Sequence, residues 1–317
     1  MRGFLIRRIL ALIPTIFFAT LILFIVIRAV PGDIIDQMMS QQDISAQEVT
    51  RKSIEQALGL DVPIHIQYLR WVKGIFLHGD MGKSLWKGTK VTEEVMSRLP
   101  TTFQLSLMAI VFALLLAIPI GVYSAIRQDT MGDYLGRTIS ILGIAVPNFW
   151  LGTMVVVYPA IWWGWSPPLE LVSLREDPVT NLKVFVLPAI VLGFALSGAT
   201  MRMTRAMMLE VLRQDYIRTA WAKGLKERVI IIRHALKNAL IPVVTMVGLL
   251  IPILISGTVV VEQIFTLPGM GNLMLDALMA RDYPVVSGVM LIIGSTVLVN
   301  NLLVDLSYGL LDPRVRY

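Results

Sequence analysis

The sequence predicts an all-α membrane protein with six transmembrane helices, and three observations carry that prediction. Hydrophobic residues make up 56% of the chain, charged residues only 16%, and the mean hydropathy is +0.71, whereas a soluble domain carries about 25% charged residues. Six runs are nearly free of charge, each close to the roughly twenty residues that cross a bilayer. Lys and Arg gather in the segments between alternate runs.

The runs lie near 9–29, 102–125, 138–161, 184–203, 239–261 and 285–308. The first follows Arg2, Arg7 and Arg8. It is too long for the apolar region of a signal peptide and ends at Arg28-Ala29-Val30-Pro31 without an A-x-A cleavage site, so a retained helix is expected. An even number of spans places both termini on one side. That side would hold 16 of the 28 Lys and Arg, in the N-terminal tail, 126–137, 202–237 and the C-terminal tail with Arg314 and Arg316. By the positive-inside rule it is cytoplasmic. The organisation expected is a first span over 1–30, an extracytoplasmic segment over 31–99 and a five-helix core over 100–317. Within 31–99, Ser45–Leu58 and Ile66–Phe76 read as helical patches, and Gly59-Leu60-Asp61-Val62-Pro63 and His78-Gly79-Asp80 as turns.

Several function classes are disfavoured. The chain has no cysteine, hence no disulfide framework, thiolate metal site or cysteine nucleophile. Gly82-Lys83-Ser84 resembles the end of a phosphate-binding loop, but the full pattern needs a glycine at the position of Leu77 and a strand before it. His65, His78 and His234 stand at no metal-ligand spacing, so no metal and no other cofactor is expected. Met201, Met203, Met207 and Met208 are read as adaptable packing rather than a soft-metal path. H-E-x-x-H and G-x-S-x-G are both lacking, which leaves an intramembrane hydrolase nothing to work with. Acids within the spans are few, with Asp305 near the end of the last and Glu262 at the edge of the fifth; an intramembrane acid is a functional candidate by default, but both lie near an expected interface. So few acids argue against a proton-relay transporter. An ion-coupled secondary transporter that uses backbone carbonyls stays open.

The densest positive charge falls in the loop 203–238. Met203, Met207 and Val211 form one i, i+4 row and Met208, Leu212 and Tyr216 the next, so the fourth helix is expected to run on beyond the membrane. Gly224 followed by Leu225 suits a helix C-cap with φ > 0. After it, Ile232, Ala235, Leu236, Ala239 and Leu240 repeat at helical spacing. This predicts a helix–turn–helix presenting a basic surface, with Tyr216, Ile217, Ala220 and Leu225 as apolar anchors. Enforcing topology and binding anionic headgroups would need neither a hinge glycine nor two stripes, so a docking site for a cytoplasmic partner is the preferred reading. Asn148, Pro188, Asn300 and Asn301 interrupt the spans with groups suited to a pathway, and Ser256 joins Asn148, Asn300 and Asn301 as expected path residues.

YIRTAWAKGL and RHALKNALIPVVT resemble the Glu-Ala-Ala-type loop of ABC importer permeases, specifically the dipeptide/oligopeptide/nickel permease family. RRILALIPTIFFATLILFIVIRAVPGD, LGLDVPIHIQYLRWVKGIFLHGDMGKSL, RLPTTFQLSL, VPNFWLG, GTVVVEQIFTLPGMGNL, RDYPVVSGVMLI and LDPRVRY extend the resemblance over nearly the whole chain. The Glu-Ala-Ala positions fall on Arg218, Thr219 and Ala220, so the glutamate and first alanine are replaced, and the downstream proline is displaced to Pro242.

The resemblance implies a type I ABC importer-like permease fold in a bacterial or archaeal (inner) membrane, and a chain that is no enzyme. Expected partners are a second homologous permease, two cytoplasmic ABC ATPase subunits that hydrolyse ATP, an extracytoplasmic solute-binding protein and membrane lipid, with no nucleic acid. The ATPase-coupling residues would be Tyr216, Arg218, Thr219, Ala220, Ala222, Lys223, Gly224 and Leu225. Di- or oligopeptide is the cargo expected, with nickel, glutathione and oligosaccharide as the family's alternatives.

Overall fold

The computed structural model describes residues 2–29, 61–168 and 171–311. The expected patch Ser45–Leu58, the arginines at 314 and 316, and the side chains of Ser256 and Asp305 lie outside the described residues. The described chain is nearly all helical: α1 (Arg2–Ala29), α2 (Ile64–His78), α3 (Val91–Ile126), α4 (Met131–Ala145), α5 (Asn148–Trp163), α6 (Pro178–Leu212) and α7 (Asp215–Ala222). Then come the short α8 (Glu227–Val229), a π-helical segment (Ile230–Leu236), α9 (Lys237–Ile264), α10 (Met270–Met279) and α11 (Tyr283–Leu311).

Among the described residues five helices are long and apolar enough to cross a bilayer, and the pair α4 and α5 makes a sixth crossing if counted together. That pair departs from the continuous span expected over 138–161, because the chain bends by 98° between its halves. Pro147 supplies the reason. It has no N–H to donate and its ring disfavours α geometry in the residue before it; Val146 accordingly sits at φ −81°, ψ 120°. Helix α6 starts where the sequence asks it to. Asp177 caps it, accepting from the N–H groups of Val179 at 3.0 Å and Thr180 at 3.1 Å, with Pro178 in the first turn. The Thr180 hydroxyl donates to the same carboxylate at 2.6 Å, and these bonds hold it below the usual carboxylate range.

The helices form two compact units. One comprises residues 99–272 and 296–317. Its core joins Leu105, Ala109 and Ala113 of α3 to Phe185, Ala189 and Leu192 of α6 and Leu254 and Val261 of α9, with Leu151 and Val155 of α5 against them. Glycines let these helices approach closely, as is usual inside membranes. A Cβ on Gly143 of α4 would lie 2.8 Å from the Phe194 carbonyl oxygen, and one on Gly193 of α6 would lie 2.5 Å from that of Ala109.

The other unit comprises residues 2–98 and 273–295. Phe24 of α1 meets Tyr68 and Trp71 of α2, the Tyr68 and Thr20 hydroxyls are 3.0 Å apart, and the Arg28 guanidinium lies 3.6 Å over the Phe24 ring. The phosphate-loop lookalike belongs here and has a structural role. Ser84 is buried and donates to Asp282 at 2.5 Å, Leu85 N–H donates to the same carboxylate at 3.2 Å, and the Trp86 indole donates to Ala280 at 2.7 Å. Lys83 is exposed.

Candidate functional site

Helix α6 runs on to Leu212, past Met203 as expected but short of the Tyr216 that its second row included, and a turn at Arg213–Gln214 starts α7. Helix α7 buries Ile217 and Ala220, one turn apart, against Met208, Ala125, Ile230, Ala235 and Ala239. The expected anchors therefore divide. Ile217 and Ala220 face their own chain, while Tyr216 (43% exposed), Leu225 (37%) and the previously unremarked Trp221 (49%) face outward. Arg218, Thr219, Ala222, Lys223 and Gly224 are exposed as well.

Gly224 ends α7 at φ +73°. Its N–H donates to the Trp221 carbonyl at 2.9 Å, and that of Leu225 reaches back to Ala220 at 3.4 Å. This 5→2, 6→1 pair is the Schellman closure, which satisfies carbonyls at the helix end and needs a left-handed residue at the position of Gly224.

Beyond the turn the structure corrects the expected α-periodicity. Residues 230–236 wind as a π-helix, in which residues five apart stack. Ile230 and Ala235 thus share the buried face with Ala239, whereas Ile232, placed inward by α-spacing, is 52% exposed. Asn238 donates to the Tyr216 hydroxyl at 2.8 Å, which ties α7 to the start of α9.

Below the loop lies a charge cluster that sequence reasoning missed. The Asp133 carboxylate is fully buried. Arg205 grips it in bidentate fashion at 2.9 and 3.0 Å, Arg137 and the Ser124 hydroxyl also donate to it, and the Asp129 N–H completes the set at 3.0 Å. Three helices, α3, α4 and α6, are thereby joined at one end. Asp133 and Arg137 at i, i+4 offered a local hint; nothing local pointed to Arg205, 72 residues away.

Glu262, also fully buried, accepts from the Thr102 hydroxyl at 2.6 Å and the Asn272 N–H at 3.0 Å. Thr102 in turn accepts from Met270 N–H at 2.8 Å. Gly269 and Gly271 pack directly on the carboxylate, where side chains would collide with it. Its bonds tie the turn between α9 and α10 to Thr102 of α3. Of the expected path residues, Asn148 opens α5 just past the bend and is half-buried. Asn300 is buried and donates its amide to the Gly248 carbonyl at 2.8 Å, joining α11 to α9; Asn301 is exposed. Ser256 lies on α9.

Comparison with known proteins accounts for the chain from end to end. Residues 117–317 match the family described as binding-protein-dependent transport system inner membrane component, and residues 1–108 match its N-terminal counterpart. The oligopeptide transport system permease protein AppB of Bacillus subtilis (strain 168) is 41% identical over 320 residues, covering 100% of both chains. The dipeptide transport system permease protein DppB of Escherichia coli (strain K12) is 37% identical over 340 residues, covering 100% of this chain and 99% of its own. Among solved structures, an amino acid ABC transporter crystallised with histidines superposes with a TM-score of 0.51 at 13% identity, over 71% of this chain and 95% of that one, a likeness of fold. With its apolar helices, its two matched segments and these full-length relatives, the chain belongs to the binding-protein-dependent transport system inner membrane components.

Proposed function

We propose that this chain is the permease subunit of an ATP-driven importer of di- and oligopeptides, forming half of the translocation path beside a second, homologous permease. An extracytoplasmic solute-binding protein delivers cargo, and two cytoplasmic ATPases dock on the Gly224 loops. Both termini are cytoplasmic. The observation that carries the substrate class is full-length similarity to relatives named for oligopeptide and dipeptide transport.

The loop supports the docking role. Helix α6 has 35 residues and is about 52 Å long, well beyond the roughly 30 Å of hydrocarbon. Its projecting end carries α7, whose feet Ile217 and Ala220 are set into α6, the π segment and α9. A push on exposed Tyr216, Trp221 and Leu225 therefore moves α6 and α9 together and tilts both spans, switching access to the path. ATP hydrolysis supplies the push, so this chain needs no nucleotide site.

The test is ATP hydrolysis by the reconstituted four-subunit complex, with binding protein that is empty or loaded with peptide, nickel, glutathione or sugar. Stimulation by the peptide-loaded form alone is the expected result. Stimulation only by a nickel-, glutathione- or sugar-loaded form would remove peptide as the substrate, and full transport with no binding protein would overturn the importer mechanism.

A further inference from the structure

Beside the Asp133 cluster a cleft opens between α3, α4 and α6, lined by Ile120, Ser124, Arg137, Ser140, Arg202 and Arg205 among others. It is shallow and open, with about 220 Å³ of empty space only when its open mouth is counted, so an occupant would sit at the mouth. The cleft lies within about two turns of Ile126, where α3 ends, and of Met131, where α4 begins. Under the proposed topology this end of the helices faces the cytoplasm.

The charges do not cancel. Arg137 and Arg205 share Asp133, and Arg137 also bonds Asp129 at 3.2 Å. Arg202, exposed at the mouth, has no bonding partner among the described residues. Three guanidiniums face two carboxylates, leaving one positive charge and a full set of Arg202 donors. A phosphodiester carries one negative charge and accepts in the fork geometry that arginine offers. We infer that this cleft binds the phosphodiester headgroup of an anionic phospholipid, with Arg202 as the principal ligand and the Asp133 cluster holding Arg137 and Arg205 in place behind it.

The surroundings favour a lipid over free phosphate. Ile120 and Met201 contribute apolar wall. On α4, Leu135 and Ile141, each 59% exposed, and Leu142 make the helix's outward side apolar, round from the face that lines the cleft. A hydrated free anion gains nothing from such walls, whereas basic pockets between membrane helices suit anionic headgroups.

The test uses the full chain purified in neutral detergent, with lipid retention followed by native mass spectrometry and thermal unfolding in parallel. Phosphatidylglycerol is expected to bind and raise the unfolding temperature, and phosphatidylcholine and inorganic phosphate are not. Arg202→Gln should weaken phosphatidylglycerol binding about fivefold, and Arg202→Lys, which keeps the charge but loses the fork, should fall between that variant and the parent. Arg213→Gln, on an exposed arginine away from the cleft, should change nothing. Unchanged binding in Arg202→Gln, or equal binding of phosphatidylcholine, would overturn the site. Phosphate binding as well as phosphatidylglycerol would make it a free-anion site and overturn the lipid assignment.

Discussion

Replacing Gly224 separates the backbone requirement of the loop from any requirement for space. A Cβ at this position would meet nothing within 4 Å in this chain, so crowding adds no cost and only the φ of +73° matters. An L-residue held in the left-handed region costs about 1–2 kcal/mol, with branched valine at or above the upper end. A 2 kcal/mol penalty shifts the equilibrium between the closed Schellman turn and a re-aimed one roughly thirtyfold. Gly224→Val is therefore expected to lower coupled transport by more than about tenfold in proteoliposomes holding the four-subunit complex, either through lost ATPase co-purification or through hydrolysis without transport. Gly224→Asn should keep at least about half of the coupling, because asparagine tolerates this conformation. Normal assembly and coupling in Gly224→Val would refute the lever. If asparagine fails as badly as valine, the glycine serves close approach of a partner, and the backbone argument is refuted.

Ala220→Glu tests which way the foot of α7 points: with Ala220 in its own chain's core, an unpaired charge there should cost about 3 kcal/mol and lower the unfolding temperature of the chain without any ATPase. An unchanged unfolding temperature with lost assembly would mean that Ala220 instead meets the partner. Asp133→Leu should cost about 3–5 kcal/mol by stranding the arginines, and adding Arg205→Met should restore at least about half of the lost thermal stability. A double variant as unstable as the single one would show that shape, rather than stranded charge, is at stake. Because the chain lacks cysteine, topology is directly readable: an impermeant maleimide should label Thr89→Cys from outside and Lys226→Cys only after the inner face is opened. The reverse order would invert the orientation and remove the docking role.

What the sequence made legible was local. Five spans, the extension of α6 past the membrane and the turn at Gly224 each follow from composition or spacing within one helix. The bend in the third crossing was also written locally, in Val146-Pro147, yet an apolar run reads as continuous because hydropathy is blind to a missing N–H. Pro188 and Pro242 sit inside helices that carry on, so a proline alone does not announce a break. The π segment escaped for a related reason. Apolar residues at 230, 232, 235, 236 and 239 satisfy either winding, and only the burial of Ile230 with the exposure of Ile232 decides between them.

The Asp133 cluster was illegible in a deeper sense, and its placement bears on how a permease of this kind can move. In sequence, Arg137 and Arg205 look like two more positive charges enforcing topology. Folded, they make one buried carboxylate a knot among α3, α4 and α6, towards the end of α6 that leads into the Gly224 loop. A bidentate pair with a fully buried partner is costly to break, because separation strands charge in a poorly solvated site. Under the proposed docking role, a push arriving through α7 would meet three helix ends joined through Asp133. The compliant parts must lie elsewhere, and the departures from regular winding that the same unit contains are the bend at Pro147 and the π segment between the loop and α9. If motion is concentrated there, spin labels placed on α3 and α6 flanking the cluster should keep a constant separation through the ATP cycle, while labels across the Pro147 bend or across residues 230–236 change theirs. A cycle-dependent change between α3 and α6, as large as that across the bend, would show that the knot opens and that the helices do not move together.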